Sequence, residues 1–169
     1  MKTRKLTLMA LLTAIALTIF LVEAQIPALV PIPGIKLGLS NIVTVFAVFL
    51  LGGKEAVAIL FVRIFLGAIF SGQFGTIFYS AAGGGLAWVT AVGLRMVLTK
   101  KQIWVAGCLS AIAHSIGQMI VAVLLTGTPS LTVYLPVMIL CSCVTGLFTG
   151  LCAQLLLNRG DNLWKTFLQ

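Results

Sequence analysis

Apolar runs of bilayer-crossing length recur along this chain, near residues 6–25, 37–52, 55–71, 75–98, 103–125 and 131–157, with only short connections between them. A transmembrane helix takes about 20 predominantly apolar residues, because a hydrocarbon core roughly 30 Å thick holds no water to satisfy backbone groups. The pattern predicts an all-α integral membrane protein of six transmembrane helices, in a single domain over residues 1–169. The second and third runs are short for that thickness, so they are expected to stand upright or to cross only in part. Charged residues make up 8% of the chain, against about 25% in soluble proteins, and no room is left for a soluble catalytic domain.

The charges sit where topology explains them. With the N-terminus inside, Lys2, Arg4, Lys5, Lys54, Arg95, Lys100, Lys101, Arg159 and Lys165 all fall on the cytoplasmic side, and Lys36 alone falls outside. That asymmetry predicts two cytoplasmic termini. The net charge of +8 therefore needs no nucleic acid, which would call for a solvated basic patch rather than charges in short connections. The first run is longer than the apolar region of a cleavable signal, and Glu23 is a poor neighbour for cleavage, so it reads as a span.

Composition also restricts the chemistry. Glu23, Glu55 and Asp161 are the three acidic residues, and no two share a motif. Prenyl or phosphoryl transfer normally needs several carboxylates to hold Mg²⁺, so an enzyme of that kind is not expected. The string Gly52-Gly53-Lys54-Glu55 lacks the P-loop pattern, so any pumping must draw its energy from another subunit. Cys108, Cys141, Cys143 and Cys152 lie in apolar runs without metal-binding spacing; they read as small buried hydrophobes, and no metal site is expected.

Ionisable groups within a span are costly unless paired or hydrated, which makes each a functional candidate. Arg63 lies about 12 Å into the third span and His114 about 16 Å into the fifth, at 1.5 Å per residue. Gln118 follows His114 on the same helical face, with Gly117 beside them. Glu23 and Gln25 end the first span on the outer side, Ser40 and Asn41 open the second, and Tyr79 and Ser80 occupy the outer half of the fourth. The polar groups gather toward the outside, as an outward-facing cavity requires. Pro27, Pro31 and Pro33 forbid a continuous helix across the outer connection, which reads as a structured lid over 27–34.

Each candidate also has a structural reading. Arg63 pairs with Glu23 as a clamp, His114 and Gln118 serve as interhelical hydrogen bonds, or Asn41 caps the second helix. Gly83-Gly84-Gly85 and Gly146-x-x-x-Gly150 favour close helix packing, although an open glycine face also suits a flat ligand. Ala10 and Ala14 form a small-residue stripe suited to internal packing or to docking a partner helix.

The strings Pro33-Gly34-Ile35-Lys36-Leu37-Gly38-Leu39-Ser40-Asn41-Ile42-Val43-Thr44, Arg63-Ile64-Phe65-Leu66-Gly67, Tyr79-Ser80-Ala81-Ala82-Gly83-Gly84 and Ala113-His114-Ser115-Ile116-Gly117-Gln118 resemble the Gx transporter family. That family is often labelled heptaprenyl diphosphate synthase component I, and it is similar to the substrate-binding S components of energy-coupling factor (ECF) importers. The resemblance covers roughly residues 20–125. It implies a six-helix subunit of a bacterial cytoplasmic membrane that captures a small vitamin-like or quinone-precursor ligand from outside. It further implies a transmembrane coupling subunit and two cytoplasmic ATPases as partners, with ATP used by those partners and no cofactor in this chain. Ala10 and Ala14 match the family's docking stripe. The expected ligand site then comprises Arg63 as cationic anchor, with His114, Gln118, Asn41, Glu23, Tyr79 and Gly84 around it. The competing expectation, from the synthase label, is a membrane scaffold for isoprenoid or quinone synthesis. A solitary proton-driven carrier ranks last, because no inverted repeat is evident.

Overall fold

The computed structural model describes residues 2–25, 36–160 and 164. Six helices follow in order: α1 (Lys2–Glu23), α2 (Asn41–Leu50), α3 (Gly53–Ser71), α4 (Thr76–Val97), α5 (Ile103–Thr126) and, after a 3-10 turn over Pro129–Tyr134, α6 (Leu135–Arg159). The expected lid over 27–34 lies outside the described residues.

Four helical stretches are long and apolar enough to cross a membrane: Thr3–Glu23, Thr76–Val97, Ile103–Thr126 and Pro129–Arg159. The chain is thus a multi-pass membrane protein. Helix α3 has 19 residues, enough for about 28 Å at 1.5 Å per residue, but it carries Lys54, Glu55 and Arg63. The expected span over 37–52 is corrected to a 10-residue helix, about 15 Å long or half a hydrocarbon core. Its limits have a backbone cause. Gly38 and Gly52 hold φ angles of +79° and +118°, conformations that stop an α-helix and that residues with a Cβ adopt only with strain.

The short helix is the hub of the bundle. It contacts all five other helices, and its buried residues include Val43, Val45, Phe46, Ala47 and Val48, apolar almost all round as a core helix must be. One apolar cluster surrounds it, built from Leu8, Leu12 and Ala16 of α1, Ile59 of α3, Ala91 of α4, Ile103 and Ala106 of α5, and Ala153 and Leu157 of α6. A second, smaller cluster joins Tyr79, Met119, Ala122 and Met138. Along α5, buried Ser110, His114 and Gln118 fall between the residues of these two clusters.

Close backbone approach sets the longest contacts. A Cβ at Gly107 would collide with the Gly150 backbone and lie 2.7 Å from the Gly146 carbonyl oxygen, so α5 and α6 meet through small residues, as membrane helices do where dispersion replaces the hydrophobic drive. Ser115 and Ser142 share a buried hydrogen bond across the same pair. At the end opposite Glu23, Lys5 pairs with Glu55 to tie α1 to α3, and Trp88 Nε1 donates to the Gly53 carbonyl at 2.8 Å.

Candidate functional site

The buried face of α1 runs through Leu8, Leu12, Ala16, Phe20 and Glu23, spaced three or four residues apart so that all meet the bundle. Its last turn builds one wall of a polar cluster. Glu23 Oε1 accepts the backbone N–H of Gly38, which fastens the non-helical stretch Lys36–Gly38 to the end of α1. Lys36 Nζ sits 3.6 Å from the centroid of the Phe20 ring, and Arg63 Cζ is 5.4 Å from the same centroid. Such cation–π contacts strengthen when desolvated. Gly67, one turn beyond Arg63, makes room for this ring: a Cβ there would lie 2.8 Å from Phe20 Cε1.

Arg63 is 4% exposed, and its Nη1 donates to Ser40 Oγ at 2.7 Å. The direct partner of Arg63 is therefore a hydroxyl at the start of α2, while Glu23 acts on it through the field. No ion pair joins Glu23 to Arg63 among the described residues, so the expected clamp is a longer-range attraction. Lys36 lies outside the helices. Burial pushes its ammonium below the usual lysine range, Glu23 pulls it back up, and Arg63 adds to the depression.

His114 enters from α5 and is enclosed by glycines. A Cβ at Gly38 would be 2.9 Å from its Cδ2, and one at Gly83 would be 2.9 Å from its Nδ1. Its Nδ1 faces the Gly83 backbone without a hydrogen bond of good geometry. Gln118, one turn along, is 1% exposed and leaves Oε1 unpartnered. Asn41 begins α2, is buried, and gives its backbone N–H to the Gly38 carbonyl at 2.9 Å. Ser40, at the N-cap of α2, makes no side-chain cap.

Glu23, Arg63, His114 and Asn41 are thus drawn together around Gly38, with Gln118 next along α5. Two expected site residues go elsewhere. Tyr79 packs in the second apolar cluster beside Met119. Gly84 is met by Leu60, whose Cδ1 would lie 2.9 Å from an added Cβ, so its open side is taken by helix packing. Ala10 and Ala14 are exposed on the outer face of α1, which excludes internal packing as their use. Phe20, Lys36, Gly38 and Gly67 belong to the cluster but were not expected there. The signals were spacing: Phe20 three residues before Glu23, Gly67 four after Arg63.

Among the described residues no group of three or more His, Cys, Asp or Glu is placed to hold a metal ion. A separate open cavity of about 300 Å³ lies at the other end, lined by Lys5, Leu6, Met9, Lys54 and Glu55.

Residues 12–156 match the family model described as heptaprenyl diphosphate synthase component I. The match takes in most of α1 and α6 as well as the four motifs between them. No curated protein matches the chain, and no solved structure does.

Proposed function

The chain belongs to the heptaprenyl diphosphate synthase component I family, and within it we propose a binding role: the substrate-binding subunit of an ECF-type importer. It captures a small vitamin-like or quinone-precursor molecule from outside a bacterial cytoplasmic membrane. In this reading all six helices belong to the membrane domain, both termini are cytoplasmic, and the chain itself is not an enzyme.

The observation that carries the proposal is the buried polar cluster. Buried Glu23, Arg63 and His114, with half-buried Lys36, come from four separate segments and meet in an otherwise apolar bundle. Burying ionisable groups in a membrane protein is expensive, and they mark ligand or ion paths by default. The site is reached by the non-helical stretch Lys36–Gly38, which continues the proline-bearing outer connection. Arg63, His114, Gln118, Asn41 and Glu23 are the proposed ligand contacts, with Tyr79 and the glycines of α4 supporting them.

The exposed stripe through Ala10 and Ala14 supports docking onto a transmembrane coupling subunit, which two cytoplasmic ATPases would drive with ATP. Small residues let a partner helix approach closely. The family description favours a second reading, a membrane scaffold for a soluble prenyl synthase. Three acidic residues in the whole chain argue against catalysis by the chain itself.

Native mass spectrometry of the purified protein tests the proposal. A stoichiometric small molecule that is lost from Arg63→Ala supports the binding subunit. Bound polyprenyl species, or copurification with a synthase that Ala10→Leu leaves unchanged, favour the scaffold.

A further inference from the structure

Glu23 carries a feature that capture of an anion by Arg63 leaves unexplained. One carboxylate oxygen holds the Gly38 N–H, but Oε2 is buried without a hydrogen bond of good geometry among the described residues, the Ser40 backbone N–H only facing the carboxylate. His114 Nδ1 and Gln118 Oε1 share that condition. Gly38, bound by Glu23, lies against the Cδ2–Nε2 side of the His114 ring, whose Nδ1 faces Gly83, and Gln118 follows His114 one turn along α5. Buried polar atoms are almost always paired in native proteins, and an orphan signals a missing partner.

The chemistry of that partner follows from the atoms left open. Glu23 Oε2 and Gln118 Oε1 are acceptors, so the partner is a donor. Neighbouring cations do not fill the role: Arg63 bonds Ser40, Lys36 lies over Phe20, and neither bonds Oε2. Both nevertheless raise the local potential, which opposes a further positive charge at short range. A neutral donor meets both conditions. An amide-type N–H donates without also accepting at the same atom, unlike a hydroxyl oxygen.

Resting on the binding-subunit reading, we infer that the captured molecule carries a neutral N–H group of amide, lactam or urea type that donates to Glu23 Oε2. Glu23 is then the specificity-determining acceptor of the site. Arg63 holds the start of α2 and sets the field.

Thermal unfolding of the purified full chain with three probes of similar shape tests this: benzamide, N,N-dimethylbenzamide and benzoate. Benzamide at ten times its dissociation constant is expected to raise the melting temperature by about 3–6 °C, with little response to the dimethyl compound. In Glu23→Gln the free acceptor becomes a donor, and benzamide binding should weaken about 10- to 100-fold. If that variant fails to fold, the ranking of the three probes on the natural chain decides alone. Stabilisation by benzoate in preference to benzamide, or equally by both amides, overturns the inference and leaves a binding subunit standing. No response to any of the three also overturns the inference, while the binding-subunit reading is decided separately by the small molecule that native mass spectrometry finds or fails to find.

Discussion

Gly38 lies against the imidazole of His114 so closely that a methyl group at residue 38 would come within 2.9 Å of Cδ2. The same residue stands at φ +79° and gives its N–H to Glu23. One glycine thus ends the non-helical stretch, seats the histidine and occupies the carboxylate. Gly38→Ala is expected to lose about 1–2 kcal/mol to backbone strain alone, and more from displacing a buried ring. Thermal unfolding in detergent checks this. The control is Gly72→Ala, where φ is +67° but nothing lies within 4 Å of the added methyl. Equal losses at the two sites would remove the steric contribution of His114.

Ser40 Oγ accepts from Arg63 Nη1 at 2.7 Å, both groups being buried. Ser40→Ala leaves one charged donor without its partner, which should cost about 1–3 kcal/mol. Ser40→Thr keeps the acceptor and should recover most of that loss. Chemical denaturation of the three proteins reads the difference, and an Ala variant as stable as Thr would mean that water replaces the hydroxyl.

Much of this architecture is legible in the sequence, and what is not has identifiable causes. The apolar runs over 75–98 and 103–125 become Thr76–Val97 and Ile103–Thr126, because uninterrupted hydrophobicity bounded by Gly75, the polar turn over 99–102 and Gly127 leaves little freedom. The run over 37–52 misleads because Leu37 and Leu39 keep the hydropathy high while Gly38 leaves the helical conformation. The run over 131–157 likewise hides a 3-10 turn at its start. Within the site, Arg63 and His114 stand out as ionisable groups in apolar surroundings. Phe20 and Gly67 do not, since a phenylalanine or glycine in an apolar helix looks like any other packing residue. Lys36 reads as a mark of topology, and only the folded chain brings it over the Phe20 ring.

Gly67 and Gly85 separate packing from helix propensity. Both are helical, but a methyl at Gly67 meets Phe20 Cε1 at 2.8 Å, while one at Gly85 meets nothing within 4 Å. Gly85→Ala should stabilise the protein by about 0.5–1 kcal/mol. Gly67→Ala should destabilise it by about 1–3 kcal/mol through overpacking, and it should weaken ligand retention by shifting the ring that faces Lys36 and Arg63. Paired melting curves and native mass spectra give both readouts. A Gly67→Ala protein that is stabilised and retains its ligand would show that the ring moves without cost.

Ala14 lies on the exposed face of α1, with Ala10 one turn before it and Thr18 one turn after. Its neighbours Leu12 and Ala16 are turned into the bundle, so enlarging Ala14 disturbs no internal contact. Ala14→Leu should therefore change stability by less than about 0.5 kcal/mol, as surface substitutions do. A partner helix packed on the stripe would instead be pushed away, because close approach depends on small side chains. The expected result is loss of the complex with the coupling subunit and ATPases in affinity purification, with ligand capture by the isolated chain unchanged. A leucine variant that assembles normally would move docking to another face. A variant that loses both assembly and ligand would mean that the outer face of α1 is coupled to the Phe20 and Glu23 turn along the same helix.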